Sequence, residues 1–393
     1  MLKNQLNLIH IREVMDELEV SRSTIDRWRK NKQLPSVKIG KEIYFDRHEV
    51  TRWYKEFGQA PRTPLLPDTP TLTIGYTTVS THMWGPLIIK EFGLLEEELR
   101  RIRPKDRIDI RWHRAKDGME LIKGMLAGQI QIATFGDYAL SVSHMISELL
   151  PGFHPVLLAA AGKSSDGDGF GLVVPADLTL SSVSELATLP IATTFRTNAD
   201  YRLKKLLESH SLPELNIIHR SIEESMESLR QGRLSASIMW EPFLSLVQHQ
   251  KIGKSVFNRE LGLGFIASVA ADEHWVREHE DLTIAYLKAH LRAGKLIREQ
   301  PARAAEVCSR ETELPLDVTS RSISRIRWDA ALYTRDLELL NGFDPAKSFS
   351  QAMLPHPEIP YTTKYLRIAA QELRLPVLPK APIDGPWHRD IYY

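Results

Sequence analysis

Hydrophobic and polar positions recur along this chain with two periods, and the points where the period changes mark out its elements. Ile11, Val14, Met15 and Leu18 follow helical spacing, and Glu19-Val20-Ser21 leaves room for only a tight turn before the next helix. Ser21 stands where an N-cap belongs, so a helix through Lys30 is predicted, with Ile25 and Trp28 facing inward and Arg22, Arg27, Arg29 and Lys30 solvated. Leu34-Pro35 follows, then two short extended runs, Ser36 to Ile39 and Glu42 to Phe45, joined at Gly40-Lys41 as in a hairpin. Asp46 with Glu49 gives a capping-box-like start to a last helix, whose Val50, Trp53, Tyr54 and Phe57 share one face.

In residues 59–71 the pattern breaks. Pro61, Pro64, Pro67 and Pro70 occupy every third position, which favours an extended polyproline-like spacer, and the boundary of a first domain, residues 1–58, is placed there. An ordered strap held by Leu65 and Leu66 fits the same composition. Beyond it, apolar extended runs alternate with helical ones: TLTIGY and a helix near Pro86 to Arg101, RIDIRWH and Gly118 to Leu126, QIQIATF and a helix from about Asp137. GFGLVV, PIATT, ELNIIH and SASIMW continue the series. Such alternation predicts parallel strands with crossover helices, an α/β fold.

The two sets carry an internal echo. Ile122, Met125, Gly128, Ile130 and Ile132 match Met226, Leu229, Gly232, Leu234 and Ala236 at constant offset, each reading helix, glycine stop, strand. Two lobes are therefore expected within residues 72–344, the first from about 72–160 and 262–344 and the second from about 161–261. Helical patterns follow at Leu282 to Arg298, Ala302 to Arg310 and Ile323 to Leu340, and a proline- and aromatic-rich extension, 345–393, closes the chain as a strap, a linker contact or a swapped segment.

Composition narrows the function classes. At 393 residues and formal net charge +1 the chain has no global pull towards a polyanion, so any nucleic-acid affinity must be local. That locality is present: Arg22, Arg27, Arg29, Lys30, Lys32, Lys38, Lys41, Arg47, Arg52 and Lys55 outnumber Asp26, Glu42, Asp46 and Glu49. A single cysteine, Cys308, excludes an internal disulfide framework and a cysteine-rich metal site. His82 and His113 lack metal-ligand spacing, so neither metal nor cofactor is expected. With no secretory pattern in MLKNQLNLIHIREVMDELEV and no long apolar run, the expected location is the cytoplasm, off the membrane.

Two α/β lobes bind ligands in the crevice outside the carboxyl ends of their strands. The segments there carry Tyr76, Thr77, Thr78, Thr81, His82 and Trp84 after the first strand, and Phe135, Gly136, Asp137 and Tyr138 after the third. In the second lobe they carry Thr194, Phe195, Arg196, Thr197, Asn198 and Asp200, then Trp240, Glu241, Pro242 and Phe243. A helix starting behind Thr197 and Asn198 offers free N–H groups to an anion. Tyr76, Phe135 and Trp240 also fit as core, and Arg196 with Asp200 as a surface pair. The polar run Lys163 to Gly169 reads as a hinge-side loop without phosphate-loop spacing.

The order of elements in residues 1–58, with V-S-R-S-T-I and L-P-x-V-K-I-G, resembles the excisionase-type winged helix-turn-helix domain, a relative of MerR regulators. The resemblance implies contacts to double-stranded DNA from Ser21, Arg22, Ser23, Thr24 and Arg27 on the second helix and from Lys38 and Lys41 on the wing. Residues 72 to about 310, through LTIGYTT, GQIQIATFG, LPIATTFRTNADYRLKKLLE and RQGRLSASIMWEPF, resemble the substrate-binding proteins of nitrate, sulfonate and taurine ABC transporters, a type II periplasmic-binding fold. That likeness implies that Phe195 to Asn198 grip an anion and Trp240-Glu241-Pro242 hold an amine end. The relatives' Gly-Ser-Ser appears here as Gly136-Asp137-Tyr138, and Arg196 is additional. Asp137 with Glu241 suits a cationic centre and Arg196 an acidic one, which favours a zwitterion or amine-bearing organic acid over nitrate.

The expectation is a ligand-responsive transcriptional regulator, not an enzyme, acting as a homodimer on a repeated operator site. Alternatives are a transporter's solute-binding component, a recombination directionality factor, and an enzyme of the thiamine-pyrimidine or desulfinase kind. Those enzymes need cleft cysteines, whereas Cys308 falls on a late helix.

Overall fold

The structure, a computed structural model, describes residues 8–53 except 19, 32, 33, 48 and 51, and residues 71–393 except 106, 107, 151, 166, 213–216, 263 and 343–357. The spacer of residues 59–70, Tyr54 and Phe57 of the last head helix, and residues 345–357 of the extension lie outside the described residues.

The head comprises β1 (Leu8–His10), α1 (Ile11–Leu18), α2 (Arg22–Asn31), β2 (Val37–Ile39) and β3 (Glu42–Asp46). Its sheet runs β1-β3-β2, antiparallel throughout, with the β2–β3 turn made at Gly40, whose φ of 62° favours glycine. Ser21 caps α2, its hydroxyl accepting from the Thr24 amide at 3.2 Å, and the Asp46 carboxylate accepts from the Glu49 amide at 3.0 Å. Ile25 and Trp28 turn inward onto Val14, Phe45, Val50 and Trp53, with the two indoles 5.3 Å apart. Strand β1 is an addition to the sequence reading, since three residues are too few to show a period.

The body begins with β4 (Thr71–Tyr76) and continues through α3 (Gly85–Glu91), α4 (Leu94–Ile102), β5 (Asp109–Arg114), α5 (Gly118–Leu126), β6 (Ile132–Phe135), α6 (Asp137–Ser147) and β7 (Pro155–Ser164). A second lobe follows: β8 (Phe170–Pro175), β9 (Ile191–Thr193), α7 (Asn198–Ser209), β10 (Ile217–His219), α8 (Ile222–Arg230), β11 (Ala236–Trp240), α9 (Phe243–His249) and β12 (Gly253–Val256). The chain returns as β13 (Phe265–Asp272), α10 (Glu273–Glu278), α11 (Glu280–Glu299), α12 (Pro301–Thr312), α13 (Leu316–Ser324), β14 (Arg327–Trp328), α14 (Thr334–Asn341) and α15 (Lys364–Glu372).

The first lobe holds a six-stranded sheet, β14-β7-β13-β6-β4-β5, and the second a five-stranded one, β10-β9-β11-β8-β12. Strands β4, β5 and β6 are parallel, and so are β9, β10 and β11, but β13 and β8 run against their neighbours. The reason is the double crossing between lobes: β7 leaves the first lobe, and β13, paired with it from Ser164/Phe265 to Asp272/Pro155, brings the chain back. The echoed glycines behave alike. Gly128 and Gly232 take φ of 69° and 66° just past α5 and α8, donating to Met125 and Leu229 carbonyls at 2.9 and 3.1 Å.

Three readings of local structure are corrected. The helix expected over Pro86 to Arg101 is two, α3 and α4, broken at Gly93 with φ of 58°. Ile323 to Leu340 is not one helix, because α13 stops at Ser324 and β14 intervenes before α14. Lys163 and Ser164 belong to β7 and are buried, so only the following residues, with Gly167 and Gly169 at φ of 80° and 79°, form the turn. The described part of the extension straps across the first lobe: Thr362 donates to the Leu157 carbonyl at 2.9 Å, and Ala330 to that of Tyr393 at 3.3 Å. Cys308 packs as a small apolar residue in the core under α11 and α12, where burial pushes its thiol pKa up.

Candidate functional site

The crevice between the lobes is built where β4, β6, β9 and β11 end, and in this structure it is closed. Among the described residues, three contacts cross it at the strand ends. The Trp240 indole N–H donates to the Val79 carbonyl at 2.7 Å, the Thr81 amide donates to the Glu241 carbonyl at 3.1 Å, and the Asn198 side-chain amide donates to the Asp137 carboxylate.

The last of these contacts belongs to a longer chain. Asn198 opens α7, one turn before Arg202, so the two side chains share a face and Arg202 Nε donates to Asn198 Oδ1. Arg202 then reaches the returning chain, donating to the Gly264 carbonyl at 2.6 Å and the Gly262 carbonyl at 3.3 Å, and its guanidinium lies 4.4 Å over the Phe170 ring. Burial of Asp137 pushes its carboxyl up to about 6, against the pull of Arg202 and Asn198. Next to this network His82 sits between the Ser80 and Ser164 hydroxyls, at 3.2 and 3.1 Å, and edge-on to Phe265 at 4.4 Å. Burial, helped by the Arg202 charge, takes its pKa down to about 3, so the ring is neutral.

The residues expected to hold a solute separate into those at the crevice and those committed elsewhere. Thr81, His82, Asp137, Asn198 and Trp240 meet across the closure, and the Thr81 hydroxyl is fully buried with no hydrogen-bond partner. Tyr76, Phe135 and Tyr138 are buried in core clusters, Tyr76 edge-on to Trp112 at 6.3 Å and Tyr138 with its phenol pKa pushed up by burial. Thr77 is buried, while the Thr78 hydroxyl accepts from Arg114 at 2.9 Å. Gly136 serves as the N-cap residue of α6. Thr197 caps α7, donating its hydroxyl to the Thr194 carbonyl at 2.6 Å, and Thr194 donates to the Arg220 carbonyl at 3.0 Å.

Two charged residues sit differently from the expectation. Glu241 is fully buried but faces α13, pairing with Arg325 and accepting from the Ser322 hydroxyl at 3.0 Å and the Ser245 amide at 3.3 Å. Only its backbone carbonyl reaches the crevice. Arg196 is exposed at φ of 61°, and the contact with Asp200 is made by its backbone amide, at 3.2 Å, instead of a side-chain pair. Sequence reasoning missed Arg202, Phe170, Ser164 and Phe265; the i,i+4 spacing of Asn198 and Arg202 was the one available signal.

On the head, Arg22, Ser23, Arg27, Lys38 and Lys41 are exposed and Thr24 is half-buried, so α2 and the wing each present solvated cations. The exposed Ser21 hydroxyl lies 2.8 Å from that of Ser23 and 2.9 Å from that of Thr24, a polar cluster at the start of α2. Among the described residues no group of three or more His, Cys, Asp or Glu is placed to hold a metal ion, and no helix is long and apolar enough to cross a membrane.

Comparison with known proteins agrees with this division. Residues 9–57 match the model of a helix-turn-helix domain family. No curated protein sequence matches the chain. Among solved structures, the body is similar to the periplasmic aliphatic sulphonate binding protein SsuA from Escherichia coli, with TM-score 0.61 at 15% identity, over 74% of this chain and 96% of that one. The alkanesulfonate-binding protein SsuA from Xanthomonas axonopodis pv. citri, bound to MOPS, gives TM-score 0.58 at 18% identity over 75% and 98%. The periplasmic nitrate-binding protein NrtA from Synechocystis PCC 6803 gives 0.61 at 16% identity over 81% and 93%. The chain is thus a helix-turn-helix head fused to a body with the periplasmic-binding-protein fold.

Proposed function

We propose that the chain is a cytoplasmic, ligand-responsive transcriptional regulator in which the bilobed body senses a small anionic or zwitterionic solute and the head binds operator DNA. The observation that carries this reading is the pairing, on one chain, of an exposed basic recognition surface with a crevice closed by side chains that can exchange partners. A solute acts only through its difference in affinity for the open and closed lobes, and a few kcal/mol of difference is enough to shift operator occupancy substantially. Arg202, Asn198 and Thr81 supply donors for an acid group and Asp137 an acceptor for an amine, which supports an amino-sulfonate or related zwitterion. The structural neighbours whose names carry sulphonate or MOPS support the same class. A single winged helix has a small footprint, so a homodimer on a repeated site is part of the proposal.

The test has two arms on the purified full chain. Thermal-shift screening covers amino-sulfonates, amino acids, nitrate, pyrimidines and aromatic sulfonates; a zwitterion is expected to raise Tm, since a ligand bound only by the folded state stabilises it. Selection from a random duplex pool is expected to enrich one repeated motif. Absence of any enriched duplex removes the regulator, and recovery of the protein outside the cytoplasm on cell fractionation favours a transporter component. Turnover of a bound solute revives an enzyme, although Cys308, the cysteine such chemistry would use, is buried on α12 in the apolar core of the first lobe.

A further inference from the structure

The head does not hang free of the body. Lys123, on α5, places its ammonium 2.6 Å from the Asp46 carboxylate at the end of β3, a contact mostly shielded from water, with Asp46 7% and Lys123 24% exposed. Leu8 of β1 and Tyr44 of β3 bury into the same apolar cluster as Leu121 and Met125 of α5. Asp46 also caps the start of the last head helix through the Glu49 amide, so the group that docks the head helps to order it. The docked face takes in Ile39 beside the wing turn as well as Leu8 and Tyr44, while Arg22, Arg27, Lys38 and Lys41 stay exposed.

Helix α5 is equally tied to the crevice. It starts immediately after β5, at the crevice end of the first lobe, with Asp117 as its N-cap. Gly118 meets Ala139 of α6 so closely that a β-carbon at 118 would collide with the Ala139 side chain. Ala139 lies in the first turn of α6, two residues after Asp137, the residue that Asn198 of the second lobe holds across the crevice. A continuous set of packed groups therefore runs from the second lobe through Asp137, Ala139, Gly118 and Lys123 to Asp46.

We propose that α5 is the lever by which the head reads the crevice: releasing Asn198 from Asp137 moves the start of α6, α5 follows through the Gly118–Ala139 contact, and the Lys123–Asp46 docking of the head is lost. This deepens, and rests on, the reading of the chain as a ligand-responsive regulator. The element whose equilibrium both ends bias is the docked or undocked head, which is what coupling between two sites requires. Docking holds α2 and the wing at a fixed orientation to the first lobe. Undocking frees them, and in a dimer that changes the spacing of the two recognition helices.

The lever is tested without a solute, by hydrogen exchange with mass spectrometry on the full chain carrying Asn198→Ala, Lys123→Met, or both. Asn198→Ser, whose side chain is too short to reach Asp137, replaces the alanine variant if circular dichroism shows that the latter is unfolded. Segments containing Leu8–His10 and Glu42–Asp46 are expected to exchange at least about threefold faster in either single variant, and no faster in the double variant than in the faster single one. Unchanged exchange of those segments in the Asn198 variant overturns the lever, and so do single effects that multiply in the double variant. Fluorescence anisotropy on a random-sequence duplex is measured in parallel. Loss of duplex binding in the wild type sinks the regulator reading, whereas the exchange result judges the lever by itself.

Discussion

Lys163 and Asp336 face each other at 2.6 Å with neither side chain exposed to solvent. The ammonium also donates to the Ala331 carbonyl at 2.6 Å and lies 4.7 Å over the Tyr333 ring, while Asp336 accepts from the Trp387 indole at 2.7 Å and the Tyr333 amide at 3.1 Å. A strand of the first lobe, the start of α14 and the C-terminal strap are thus joined at one buried pair. Removing one partner strands a charge, so Lys163→Met is expected to cost about 3–5 kcal/mol. Trp387→Phe, which loses a single hydrogen bond to a charged acceptor, is expected to cost about 1.5–3 kcal/mol. Urea unfolding of the two variants measures both, and equal costs would mean that the strap and the pair act as one unit.

Three buried groups give the fold a defined response to pH. Burial lowers His82 to about 3 and His144 to about 4. Unfolded histidine takes its proton near 6.5, so both contribute stability that is complete above that pH and is lost as pH falls towards the folded values. Asp137 has the opposite sign. With its folded pKa raised to about 6, the native state holds a proton that the unfolded chain has already released, so its contribution is complete below about 3.8 and is lost as pH rises through 6. Asp137→Asn is therefore expected to stabilise the closed protein at pH 7–8, by on the order of 2–3 kcal/mol, and to have no such effect at pH 4. His82→Gln is expected to flatten the loss on the acid side. Melting temperatures across pH 4–8 read both effects.

The order of elements could be read because each uses a local device: apolar runs for the strands, glycines at positive φ after α5 and α8, and capping residues at Ser21 and Thr197. What was misjudged depends on partners distant in sequence. Lys163 follows a run of apolar residues and so reads as the first residue of a loop, yet Asp336 makes it the end of a buried strand. Glu241 follows a tryptophan at a strand end, as a ligand residue would, but Arg325 and Ser322 turn it onto α13. Arg202 carries no local signal beyond its spacing from Asn198, and only the return of the chain at Gly262 and Gly264 supplies the carbonyls that draw it inward. Side-chain direction at a lobe boundary is set by tertiary contacts, which local periodicity does not encode.

Arg202 supports the closed crevice from behind Asn198. Hydrogen bonds from a charged donor contribute about 1.5–3 kcal/mol each, and Arg202 directs its guanidinium to the Gly262 and Gly264 carbonyls while also orienting Asn198. Arg202→Met keeps the apolar stem over Phe170 and removes those donors. It is expected to open the lobes, raising the radius of gyration in small-angle scattering, and to expose Trp240 to a fluorescence quencher. Trp240→Phe, which loses one neutral bond to Val79, is expected to cost about 0.5–1.5 kcal/mol and to leave the overall dimensions unchanged.

On the head, the exposed charges and the hydroxyl cluster have different duties. Arg27, Lys38 and Lys41 are solvated cations on α2 and the wing, suited to phosphate oxygens, which position a protein on DNA without reading sequence. Replacing any one with alanine is expected to weaken binding to all duplexes by a similar factor and to reduce the slope of log K against log salt concentration by about 1. Ser23 and Thr24 lie at the start of α2, where a recognition helix meets base edges. Their alanine variants are expected to leave the salt slope intact and to cost about 1–3 kcal/mol on a selected site alone. Fluorescence anisotropy titrations at several salt concentrations, on a selected and a scrambled duplex, separate the two classes. A salt slope lowered by Ser23→Ala, or sequence preference lost in Lys41→Ala, would reverse the assignment of which residues position the head and which read the bases.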